Sequence, residues 1–108
     1  MNSDVNSSIN EYLKNGNVYF KKHALVRIVE RKISIQEIEE ALLNCNLIES
    51  YSEDKPLPSY LVIGFTKNER PLHILVALDK IEGYIWIITV YEPDQTIWSN
   101  QMTKRKKS

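Results

Sequence analysis

Apolar positions along this chain change their spacing once, near residue 45. Before it they recur at three- and four-residue intervals: Ile9, Tyr12 and Leu13; then Ala24, Leu25, Ile28 and Val29; then Ile35, Ile38, Ala41, Leu42 and Cys45. That is the period of a helix with one buried stripe. After it the period falls to two, or apolar residues run together, in LIESYS (47–52), SYLVIGFT (59–66), PLHILVALD (71–79) and the stretch 84–92 that begins YIWIITVY. These read as strands. Val18-Tyr19-Phe20 is a very short strand between the first two helical stretches.

Local signals set the boundaries. Ser8-Ile-Asn-Glu11 and Ser34-Ile-Gln-Glu37 both fit a capping box, and Ile33 with Ile38 brackets the second as a hydrophobic staple. Asn15-Gly16 stops the first helix. The spacing predicts further helices near 22–32 and 34–45. EDKPLP, KNER, KIEG and PDQ supply breaks and hairpin connections. The order α-β-α-α-β-β-β-β predicts an α+β fold: two to three N-terminal helices packed on a mainly antiparallel sheet of four or five strands. In PLHILVALD and YIWIITVY neither alternating set is simply polar, whereas a sheet with one face in water alternates cleanly. A covered second face is the expectation, by the chain's own ends or by another protein.

Length bounds this to one domain: 108 residues, read as a single α+β unit over 1–103 with a flexible basic tail at 104–108. The overall charge of zero conceals an asymmetry, because KRKKS carries four positive charges and residues 1–103 hold ten basic against fourteen acidic groups, net −4. A protein that coats nucleic acid through global charge is excluded; any such contact is local. Gly16, Gly64 and Gly83 are scattered, so no glycine loop cradles phosphate. The lone Cys45 reads as a small buried hydrophobe in a reducing compartment. Two histidines and one cysteine without carboxylates at ligand spacing argue against a metal site, and no cofactor is expected. There is no apolar run near membrane-spanning length and no signal-peptide pattern, which makes cytoplasm the expected location.

The candidate chemistry lies in HALVRIVERKIS (23–34). His23, Arg27 and Arg31 recur at fourfold spacing and form one polar stripe on a helix. Metal-free RNA cleavage needs a base for the 2′-hydroxyl, a cation for the crowded phosphate and an acid for the leaving oxygen. Histidine suits either proton role and arginine suits the phosphate. His73, Thr89 and Tyr91 add polar groups on neighbouring strands. Each has a plainer alternative: His73 as a hydrogen-bonded sheet histidine, Thr89 and Tyr91 as packing with satisfied hydroxyls, Arg31 as a partner for neighbours of Glu30 or a cap on carbonyls at the helix end, and the whole stripe as a solvated helix edge.

HALVRIVERKIS, PSYLVIG, RPLHILVA and IITVYEPD, followed by Trp98 and a basic end, recur in an order that resembles the domain of unknown function 4258 family, from about Phe20 to Lys106. The resemblance implies a RelE-like or BrnT-like helix-then-sheet fold, as in small bacterial ribonuclease toxins. It also implies a partner: a zinc-finger antitoxin of the MqsA (YgiT) type. Carried over, it singles out His23, His73 and Tyr91 as catalytic candidates, with Arg27, Arg31 and Thr89 binding substrate. The chain departs from the family pattern at Lys22, Ile28, Lys32, Cys45 and Met102. Lys32 and Cys45 stand where glycine is common, which asks for strained or altered turns. The expectation is a type II toxin that cleaves mRNA as a metal-independent endoribonuclease. The alternative is a non-catalytic protein- or nucleic-acid-binding module of the same fold, and homodimerisation stays open in either case.

Overall fold

The computed structural model describes residues 2–94 and the backbone at 98–99 and 104–105. Helix α1 (Asn2–Lys14) leads into the short strand β1 (Val18–Phe20), followed by helices α2 (Lys22–Glu30) and α3 (Ile35–Leu43). Strands β2 (Asn46–Tyr51), β3 (Ser59–Phe65), β4 (Pro71–Asp79) and β5 (Tyr84–Tyr91) complete the main sheet. Two-residue strands β6 (Trp98–Ser99) and β7 (Lys104–Arg105) pair as a separate ribbon. The fold is α+β, as the change of period predicts. The placement of Trp98's side chain and the flexibility of the basic tail lie outside the described residues.

Helix α1 is longer than its capping signal suggests. Ser8 is mid-helix, and Val5, Ile9 and Tyr12 make a buried stripe that begins well before it. Tertiary burial of that stripe overrides a local pattern that fits a helix start equally well. At Ser34 the reading holds. Its Oγ accepts the Glu37 amide at 3.0 Å, Glu37 Oε1 accepts the Ser34 amide at 3.0 Å, and the staple residues Ile33 and Ile38 are buried.

Helices α1 and α2 end in the same way, with different residues. After α1, Gly16 has φ +74°, its amide donates to the Leu13 carbonyl, and the Asn17 amide donates to the Tyr12 carbonyl. After α2, Lys32 takes φ 56°, its amide donates to the Val29 carbonyl, and the Ile33 amide donates to the Ile28 carbonyl. Both are Schellman caps, with Ile33 and Ile28 buried together in the second. The left-handed turn expected at Lys32 is therefore present, and α2 stops at Glu30. Cys45 needs no such turn: only Lys32 and Glu69 among the described non-glycine residues have positive φ.

The sheet runs β1-β5-β4-β3-β2, antiparallel except that β1 lies parallel to β5. All three helices pack on one face. There Val62, Leu72, Ile74, Val76, Leu78, Ile85, Ile87 and Val90 meet Ile9, Ile28, Ile38 and Leu42 in the core. Gly64 permits the close approach of α3 to β3: a Cβ there would sit 1.9 Å from the Ala41 carbonyl oxygen.

The opposite face carries Leu61, Ile63, His73, Leu75, Ala77 and Trp86, which lie outside that core. Strand β4 alternates as its sequence suggests. Strand β5 does not, because Thr89 pairs with Leu75 and Ile87 pairs with Val76, which leaves Ile88 as the extra residue of a β-bulge. The bulge resets the alternation, so Thr89 and Tyr91 share the second face with Trp86 instead of following Ile85 and Ile87 into the core.

Candidate functional site

On the second face the β2–β3 connection folds back over the sheet, and the Asp54 carboxylate accepts a hydrogen bond from the Ser59 hydroxyl. Two adjoining basins result, sharing Asp54 as their common wall. One, of about 270 Å³, is lined by Tyr51, Asp54, Leu61, Leu75, Thr89 and Tyr91. The other, of about 320 Å³, has Trp86, Ile88 and Ala77 as its floor and Lys21 and Lys55 at its rim.

His73 and Tyr91 are cross-strand partners, with His73 Nδ1 3.1 Å from the Tyr91 hydroxyl and the rings edge-to-face at 5.3 Å. His73 is 0 % exposed, so it reaches a ligand only through the half-buried Tyr91. Arg31 arrives from the end of α2 and donates from Nη1 to the Val90 carbonyl at 2.7 Å, next to Tyr91. This carbonyl belongs to β5, 59 residues away, and not to the helix end where a cap was the plainer alternative. Thr89, Tyr91 and His73 therefore sit together on the groove face, and Arg31 borders a neighbouring depression that Tyr91 also lines.

His23 and Arg27 do not join them. Both lie on the exposed side of α2, and the helical rise puts His23 about 12 Å along the axis from Arg31. Arg27 forms an exposed i,i+3 ion pair with Glu30 at 3.0 Å, a contact worth little in water. The polar stripe is real as a stripe. Its ends are too far apart to act on one phosphate.

Sequence reasoning missed Arg70, a charge with partners at the ends of three elements among the described residues. Its guanidinium donates to the Arg31 and Lys32 carbonyls at 3.2 and 3.0 Å, to Glu37 at 3.1 and 3.3 Å, and to the Glu92 carboxylate. Burial opposes the charge, but Glu92 and Glu37 outweigh it and push the guanidinium pKa up. Glu37 is half-buried and closes this clamp. The capping bond from Ser34 and the Arg70 guanidinium hold its carboxyl below the usual range. With Arg31, Ile33, Tyr91 and Glu92, Arg70 also borders a depression of about 430 Å³. The available signal was Arg70's place in the RPLHILVA motif. Burial of the Cys45 thiol pushes its pKa up to about 11, which leaves it protonated and unreactive near neutrality.

The described residues contain no group of three or more His, Cys, Asp or Glu able to hold a metal ion, and no helix long and apolar enough to cross a membrane. Fold and site together define a small α+β domain with helices on one sheet face and a polar-rimmed, aromatic-floored groove on the other. By sequence, the chain belongs to the family described as Domain of unknown function (DUF4258), which it matches over residues 20–92. The match spans β5 and every strand-borne site residue, and it leaves α1 outside. No curated protein and no solved structure matches the chain.

Proposed function

We propose that this protein is the toxin of a type II toxin–antitoxin pair, a metal-independent endoribonuclease that cleaves mRNA in the cytoplasm. The observation that carries the reading is the His73–Tyr91 pair at the end of an open groove, with Arg31 beside it. Tyr91 presents its hydroxyl to the phosphate, and His73, buried behind it, sets that hydroxyl's hydrogen bond. Thr89 lines the approach. Arg27 can release Glu30 at small cost to contact a flanking phosphate, and His23 is the exposed group able to exchange protons with water. A zinc-finger antitoxin of the MqsA (YgiT) type, laid over the groove, would neutralise the enzyme.

The second reading, a non-catalytic binding module, is favoured by one feature: the histidine nearest the groove has no exposed surface. Expression of the chain alone, followed by growth and RNA integrity, separates the two. Tyr91→Phe removes only the hydroxyl and should slow cleavage by about 10² or more, within the range for loss of a positioned acid–base group, with the thermal midpoint nearly unchanged. His73→Ala should do the same at some cost in stability, because a buried hydrogen bond is lost. Cleavage should persist in excess chelator. Full activity in Tyr91→Phe would remove Tyr91 from the chemistry and leave the nuclease reading to other residues; no cleavage and no growth arrest from the wild-type chain would leave the binding module as the answer.

A further inference from the structure

The basin over Trp86 is not needed for the chemistry at Tyr91, and its lining is unlike that of a simple packing defect. Tyr19, Tyr84 and Trp86 form an aromatic cluster across β1 and β5, with Tyr19 centred 5.1 Å from Tyr84 and 5.0 Å from Trp86. Tyr19, on the edge strand β1, is 46 % exposed, which leaves this end of the cluster open to solvent. Lys21 Nζ lies 4.6 Å from the centre of the Trp86 ring, so one π face of the indole is open to a flexible, displaceable side chain. A cation over that face also shows the attraction the ring exerts on groups placed above it. Lys55 stands across the basin, and Asp54, the nearest acid, already accepts from Ser59.

The volume, about 320 Å³, lies at the small end of ligand pockets and suits one nucleotide. A planar apolar floor between two lysines matches a base with its phosphates. Sheet-face aromatics that stack unpaired bases, beside a basic backbone track, are a recurrent solution to single-stranded RNA binding. Trp86 and Tyr91 are five positions apart on β5, about 16 Å at strand rise, and Asp54 borders both basins, so they lie side by side on one face.

We infer that the Trp86 basin seats one unpaired base of a single-stranded RNA, stacked on the indole, with Lys21 and Lys55 on the adjoining phosphates, a few nucleotides from Tyr91. The inference rests on RNA being the ligand of the groove and adds where the strand is gripped. It makes the substrate single-stranded, because a paired base cannot leave its helix to enter the basin without cost.

The test is fluorescence anisotropy of end-labelled single-stranded 8-mer oligoribonucleotides with the full chain, with a hairpin of the same length as comparison and cleavage followed in parallel. Trp86→Ala should weaken single-strand binding by about 5- to 150-fold, the range for loss of one stacked base, and leave the salt dependence unchanged because no charge is removed. Trp86→Phe should recover most of the loss, which also answers any concern that the alanine variant folds poorly. Lys55→Ala, at an exposed site, should lower the slope of log affinity against log salt by about 0.7. If wild type binds and cleaves RNA while Trp86→Ala does so equally well, the base seat is overturned and the nuclease reading stands. If Trp86→Ala loses binding but no protein cleaves, the seat stands and the nuclease reading falls. If wild type binds no oligoribonucleotide, the seat is overturned and this face is a protein-docking surface.

Discussion

Lys32 shows how one side chain can work against the backbone it occupies. Its φ of 56° and its two cap hydrogen bonds repeat what Gly16 does after α1, yet a Cβ in this region costs about 1–2 kcal/mol that glycine does not pay. Nothing local rewards the lysine, whose side chain is exposed. Its carbonyl is held by Arg70 Nη1 at 3.0 Å whatever the side chain. Lys32→Gly should therefore stabilise the fold by about 1 kcal/mol after allowing for the greater unfolded-state freedom of glycine. For a domain of this size the thermal midpoint should rise by a few degrees. An unchanged or lowered midpoint would mean that Lys32 makes a compensating contact. The sequence reading had named Lys32 and Cys45 alike as lost glycines, and only Lys32 takes the left-handed turn. A residue standing where glycine is common thus marks a left-handed turn at Lys32 and none at Cys45.

Among the elements, β5 and the β3–α3 contact decide the architecture of the site. The existence of β5 was plain from its β-branched and aromatic run, and its observed span, Tyr84–Tyr91, differs by one residue from the expected end. Its faces were not legible. With apolar residues on both sets of alternate positions, the sequence gives no signal for where the alternation slips, and the bulge at Ile88 is set by pairing with β4. That slip puts Thr89 and Tyr91 on the groove. Gly64 has a comparable role on the other face, where α3 lies directly against the β3 backbone. Gly64→Ala would drive a methyl into the Ala41 carbonyl. Backbone cannot yield as a side-chain tip can, so a loss of about 3 kcal/mol or more is expected, read as a lowered urea midpoint with the slope preserved. A loss under about 1 kcal/mol would show that α3 can shift away freely.

The chain is tied together away from its core by the clamp of Arg70, Glu37 and Glu92, which joins the end of α2, the start of α3 and the end of β5. Because folding lowers the pKa of Glu37 beneath its ordinary 4.5, the unfolded chain takes up this proton first on acidification. The stability from the ionised carboxylate is complete above about pH 5 and is lost as the pH falls through the lower, folded value. Glu37→Gln keeps a side-chain acceptor for the Ser34 amide and removes the charge. Its thermal midpoint should lie below wild type at pH 7, and the two should converge as the pH falls below the ordinary carboxylate range; parallel curves would show that the charge contributes nothing. The amino-acid sequence by itself determined the element order, the helix and strand types, the Ser34 cap and the two apolar sheet faces, because each depends on neighbours within a few positions. It also singled out His73, Thr89, Tyr91 and Arg31, but not Asp54, Trp86 or the lysines that line the two basins. Tertiary structure alone decided that His73 is buried behind Tyr91, that Arg31 reaches Val90, that Arg70 is a clamp, and that His23 stands apart. Those outcomes depend on strand register and on pairs as far apart as Arg31 and Val90, and such distances are fixed only when the whole sheet has chosen its pairing.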